Sequence, residues 1–132
     1  MTSPTPFISG RTGRGEAFVS DRSGSTHDRF MRLSSWILLP LSVAVASLLA
    51  SVAANPSYAE ARAIVERPPA VVALIAFGLV GMAHAYVGAE SIIIDYVHDA
   101  QKKALAFAAN KIAAILIAGL WTLAIGLIAA PR

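Results

Sequence analysis

Three stretches of the chain are apolar almost without interruption, and polar residues crowd into the segments between them. Leu33 to Ala54 reads LSSWILLPLSVAVASLLASVAA and holds no acid or base. Ala70 to Ile94 holds only His84 and Glu90, and Ala104 to Ala130 holds only Lys111. A helix of roughly 20 apolar residues crosses the hydrocarbon of a bilayer, so each stretch is long enough. None alternates apolar with polar residues, as barrel strands do. In lipid every backbone polar group must be bonded within the protein, which makes these segments helices. The expected fold is therefore an all-α membrane protein with three spans, over residues 33–54, 70–94 and 104–130. A polar segment, residues 1–32, precedes them, and its first twenty or so residues are expected to be poorly ordered.

Composition sharpens this picture. Of 132 residues only 14% are charged and 56% are hydrophobic, where a soluble domain has about 25% charged residues. The mean hydropathy is +0.62. Three helices bury little surface among themselves, so a partner within the lipid bilayer is expected on architecture alone. Nothing in the chain points to nucleic acid. With no cysteine, disulfides, thiolate chemistry and iron–sulfur ligation are excluded in this chain.

The basic residues are unevenly distributed. Arg11, Arg14, Arg22, Arg29 and Arg32 precede the first span, and Lys102, Lys103 and Lys111 lie before or early in the third. The opposite side has Arg62, Arg67 and Arg132. The positive-inside rule puts the N-terminus and the second loop in the cytoplasm. The expected location is a bacterial inner membrane, with a mitochondrial one second. LLASVAANP has the small residues of a signal-peptide cleavage site, but its apolar lead is about 20 residues against the usual 7–15.

Chemistry concentrates in the second span. Helical residues advance about 100° and 1.5 Å each, so Asp95 projects within roughly 20° of His84 and about 16 Å further on. His84 then lies near mid-membrane if Asp95 sits at the cytoplasmic boundary. Gly78, Gly81, Ala85, Gly88 and Ser91 fall on the same flank. One reading of this stripe is helix packing, since small residues let membrane helices approach closely. The other adds a flat cofactor: Gly81 and Gly88, one turn to either side of the imidazole, leave backbone bare for a macrocycle. An imidazole in lipid pairs or ligates, because an unpartnered one is costly. His27 and His98 lie outside the expected spans, so a haem held here takes one axial ligand from this chain and the other from another polypeptide. Tyr96 fits an interfacial aromatic belt. Its phenol can also donate to a carbonyl of a lipid-soluble ligand, with Asp95 orienting it; a quinone has such carbonyls.

HAYVGAESIIIDYVH, with His84, Gly88, Asp95 and Tyr96, resembles the signature of the small hydrophobic membrane anchor of succinate dehydrogenase, respiratory complex II. THDRFMRLSSWILLPLS at the first span resembles the same family, and the likeness runs from about Thr26 to Ala130. It implies three helices packed with a second anchor subunit, of the cytochrome b556 type, around haem b. It implies that His84 is an axial ligand of the haem iron and that Tyr96 binds ubiquinone with Asp95 in support. By the same resemblance Arg32 opens the first span near the haem propionates or the quinone pocket, with His27 beside it. The spacing from His27 to Arg32 is one residue shorter than in the family pattern. An iron–sulfur subunit and a flavoprotein are the further partners implied, and succinate oxidation would occur on the flavoprotein.

Other residues carry expectations of their own. Glu90 is expected to snorkel to the boundary or to pair with a base on the partner. Lys111 is expected to snorkel toward the cytoplasmic interface, with Asn110 marking an interfacial first turn. Two further functions fit the sequence. One is a fumarate reductase anchor using menaquinone; the other is a small structural or pore-forming membrane protein that associates through its glycines.

Overall fold

A computed structural model describes residues 9–54 and 57–130, with side chains from Thr26 onward. The described residues form four helices and no strand. These are α1 (Ser9–Ala53), α2 (Tyr58–Val65), α3 (Pro68–Tyr96) and α4 (Ala100–Ala129). Three segments are long and apolar enough to cross a membrane, namely Thr26–Ala53 within α1, then α3 and α4. The three expected spans are thus present, beginning seven, two and four residues earlier than the apolar runs and ending within two residues of them.

Local chemistry sets where the helices begin. Pro68 and Pro69 occupy the first positions of α3, where a missing N–H costs no hydrogen bond and the fixed φ suits a helix. Asp99 caps α4, its carboxylate accepting from the Lys102 N–H at 2.8 Å. Ser57 caps α2 by accepting from the Glu60 N–H at 3.3 Å. This Ser-x-x-Glu pattern, the sequence mark of a capping box, makes an eight-residue helix out of what hydropathy alone reads as a loop. Inside α1, Pro40 cannot donate the usual bond to the Trp36 carbonyl.

α3 is the central helix. It packs against α1 on one side and α4 on the other, α2 touches all three, and α1 and α4 make no contact among the described residues. Antiparallel pairing puts the start of the first span and the 97–99 turn at one end, with α2 and the end of α4 at the other. Val45, Leu74 and Ile125 are the buried apolar residues, one from each long helix, toward the α2 end. Arg62 of α2 ties that end together, donating to the Ile128 carbonyl at 3.1 Å and pairing with Glu66. The Glu66 carboxylate, as the largest cause, holds the Arg62 pKa above its already high ordinary value.

Little else is enclosed. Only 6% of the most apolar window of each span is buried, and Trp36, Leu105 and Leu120 are among the large side chains left exposed. So much contiguous apolar surface is stable only against lipid or another subunit.

Candidate functional site

The seam between α1 and α3 carries two histidine–serine contacts. Steps along the two antiparallel helices match in order. Leu38 meets Gly81, Ser34 meets His84, Met31 meets Gly88, and His27 meets Ser91. These are contacts of ordinary van der Waals length: a Cβ at Gly81 would stand 3.8 Å from Leu38 Cδ2, and one at Gly88 would stand 3.6 Å from Met31 Cε, so a side-chain carbon would fit at either position. The bare backbone beside His84 is therefore filled by α1 of the same chain. Gly78 is different. Its missing Cβ makes room on the α4 side for the Trp121 ring. The single flank of the sequence pattern thus serves two neighbours, and at Gly78 packing leaves no room for a Cβ.

His84 lies sixteen residues after Pro68 and twelve before Tyr96, about 24 and 18 Å along the axis. It is half-buried near the middle of the span. Its Nδ1 is 2.8 Å from Ser34 Oγ, and Ser34 is 3% exposed, the one buried polar residue among those described. His84 Nε2 makes no hydrogen bond among the described residues. One ring nitrogen tied to an oxygen with the other left over is how a metal-bound histidine is usually arranged, so the donor set fits a haem iron. No three His, Cys, Asp or Glu residues gather among the described residues.

A second polar bond lies about 10 Å nearer the end of α3 that carries Tyr96. Ser91 Oγ is 2.6 Å from His27 Nε2. His27 therefore belongs to the α1–α3 seam. Arg32 points elsewhere: it is paired with Asp28 one turn back, at 2.9 Å, and largely exposed. No ion pair or hydrogen bond among the described residues joins it to Asp95 or Tyr96. Those two close α3, both exposed, with the Tyr96 ring 78% accessible. Lys103 steadies this end by donating to the Ile94 carbonyl at 3.2 Å. Five expected site residues therefore fall into three settings: His84 and Gly88 in the seam, Arg32 on the outer face of α1, Asp95 and Tyr96 at an open rim.

The far side of α3 corrects one expectation. α4 begins at Ala100, so Asn110 and Lys111 lie ten and eleven residues in, about 15–17 Å along the helix. Asn110 is therefore not in the first turn of α4. Asn110 donates across to the Tyr86 carbonyl at 3.0 Å, and Lys111 lines a groove of about 360 Å³ with Leu79, Met82 and Tyr86. Glu90 stands one turn from Tyr86 and interacts with its hydroxyl. Sequence reasoning missed Ser34, and the available signal was a polar residue deep in the first span.

An integral membrane protein of three spans, with a single histidine at mid-span, is the class these features define. The chain belongs to the succinate dehydrogenase/fumarate reductase transmembrane subunit family, whose sequence model matches residues 12–130. That family is cytochrome b-type and forms part of a multi-subunit complex. Neither the curated proteins nor the solved structures give a significant match.

Proposed function

We propose that this chain is the smaller membrane anchor of a succinate:quinone oxidoreductase in a bacterial inner membrane, with its N-terminus in the cytoplasm. In this reading His84 Nε2 is one axial ligand of haem b, and a cytochrome b556-type anchor subunit supplies the other. The observation that carries it is the half-buried mid-span imidazole, bonded through Nδ1 and with Nε2 uncommitted. Bound haem supplies a one-electron carrier; the protein's part is to bind and orient it.

Tyr96 and Asp95 form this chain's share of a ubiquinone site at the cytoplasmic rim. The Tyr96 phenol donates to a quinone carbonyl, and Asp95, its neighbour in sequence, orients that phenol. Both side chains are open in this chain, so the remaining walls come from the anchor and iron–sulfur subunits. Electrons reach the quinone through that iron–sulfur subunit from a flavoprotein that oxidises succinate. Arg32, on the outer face of α1 and paired there with Asp28, is exposed toward an anionic group of the haem or the partner. Gly88 contributes through the packing of α1. A fumarate reductase using menaquinone would use the same residues in the opposite direction, and the family embraces both; identifying the co-purified quinone separates them.

The test is His84→Ala in the complex isolated from membranes. The b-type absorption bands and haem content are expected to fall while the subunits still co-purify. Unchanged haem content and spectrum would remove His84 as the ligand.

A further inference from the structure

We infer that Ser34 is a positioning residue for His84, holding the imidazole with its proton on Nδ1 and its free electron pair on Nε2. The inference rests on the reading of His84 as a haem ligand and adds what fixes that ligand's form.

The Ser34 hydroxyl has one proton and three neighbours. Oγ lies 2.8 Å from the Phe30 carbonyl oxygen, 3.1 Å from the Met31 carbonyl oxygen and 2.8 Å from His84 Nδ1. The two carbonyl oxygens can only accept. Were the hydroxyl proton turned to His84, both would face the lone pairs of Oγ with no hydrogen between them. The proton therefore goes to the helix carbonyls, and a lone pair of Oγ is left to accept from Nδ1–H. A neutral imidazole carries one proton, so its other nitrogen, Nε2, holds the electron pair that can ligate a metal.

The setting keeps this arrangement in place. Ser34 is 3% exposed, so water does not compete for Oγ. Ser35 and Ser47 also donate to carbonyls of their own helix, but both are exposed, and neither bonds a side chain of a second helix among the described residues. Met31 on Gly88 and Leu38 on Gly81 bracket the Ser34–His84 contact, so α1 has little freedom to slide away from α3. Tautomer and ring orientation are thus set by one hydroxyl before any ligand arrives. Outer partners of this kind commonly matter about 10–100-fold for metal affinity.

The experiment compares Ser34→Ala, Ser34→Cys and Ser34→Thr with wild type and His84→Ala, all as the complex isolated from membranes. The readouts are the extent of haem transfer to excess apomyoglobin and the electron paramagnetic resonance g values of the ferric haem. Ser34→Ala and Ser34→Cys are expected to weaken haem binding about 10–100-fold and to shift the g values. Ser34→Thr keeps the hydroxyl and is expected to match wild type. Two variants lacking the hydroxyl are used so that failure of one to assemble leaves the other to decide. Wild-type transfer and g values in both assembled variants, with haem lost from His84→Ala, would overturn the role of Ser34 alone. A threonine variant that assembles yet loses haem like alanine would also overturn it. Haem retained in His84→Ala would instead overturn the ligand reading on which it stands.

Discussion

The Trp121 indole of α4 packs against the bare backbone of Gly78 in α3 and donates its N–H to the Leu74 carbonyl at 2.8 Å. Leu74 is one turn before Gly78, and its carbonyl is also the normal acceptor of the Gly78 N–H within the helix. A ring that must reach this oxygen has to cross the position a Cβ would fill. The glycine and the indole are therefore one device, and its effect is to dock α4 on α3 beside the buried Leu74 and Ile125.

Gly78→Ala should lower the thermal midpoint of the isolated complex. A rigid ring has no flexible end with which to give way, and overpacking of this kind costs about 1–3 kcal/mol. Trp121→Phe removes the hydrogen bond but not the ring, and a loss of about 1 kcal/mol is expected. A stability for Gly78→Ala equal to wild type would show that α4 docks by other contacts.

Arg62 gives a prediction with a pH sign. Its guanidinium binds the final turn of α4 through Ile128, and the Glu66 carboxylate raises its pKa. A group whose pKa is raised on folding contributes stability below its unfolded pKa and loses it only as pH rises past the folded one. For arginine both lie far above the pH at which the complex is handled. Arg62→Ala should thus lower the melting midpoint by the same amount from about pH 6 to about pH 9. A difference that varies across this range would assign the tie to another titrating group.

The His27–Ser91 bond predicts where α1 loosens first. It is the α1–α3 tie furthest toward the N-terminal side among those described, and below it α1 continues back to Ser9. Ser91→Ala should cost about 1 kcal/mol and raise amide exchange in α1 around His27, leaving exchange near Leu38 unchanged. Uniform protection along α1 would mean that the glycine contacts suffice.

Much of this structure is legible from residue order because the bilayer imposes so much. Twenty-odd apolar residues in lipid have one stable backbone, and an imidazole among them demands a partner. For that reason the three spans and His84 stand out in the sequence. The identity of the partner is not written there. Ser34 looks like Ser35 and Ser47, each able to bond the carbonyl of its own preceding turn, and only the crossing of α1 and α3 selects the one that reaches His84. Gly78 and Gly81 read alike for the same reason, although one faces α4 and the other α1. α2 escapes hydropathy because eight residues are too few to form an apolar run; the Ser57 and Glu60 pair is its signal. Asn110 reads as a residue near the start of the third helix only if that helix starts where its apolar run does, at Ala104, whereas Asp99 already marks its cap.

Tyr96→Phe tests the quinone proposal with least disturbance. The ring is 78% exposed at the last residue of α3, and substitutions at exposed positions usually stay within about 0.5 kcal/mol of wild type. Removing one oxygen there should leave assembly and haem content alone. If the phenol bonds a quinone carbonyl, the loss is that of one neutral hydrogen bond, about 0.5–1.5 kcal/mol. That corresponds to roughly 2- to 13-fold in kcat/KM for quinone reduction. Succinate oxidation measured with an artificial acceptor, which draws electrons before the membrane, should be unchanged. With assembly and haem content unchanged, a split between the two assays points to the quinone site. An equal fall in both would mean that the exposed rim is an assembly surface for the iron–sulfur subunit, and Tyr96 would then act by holding that subunit to the membrane.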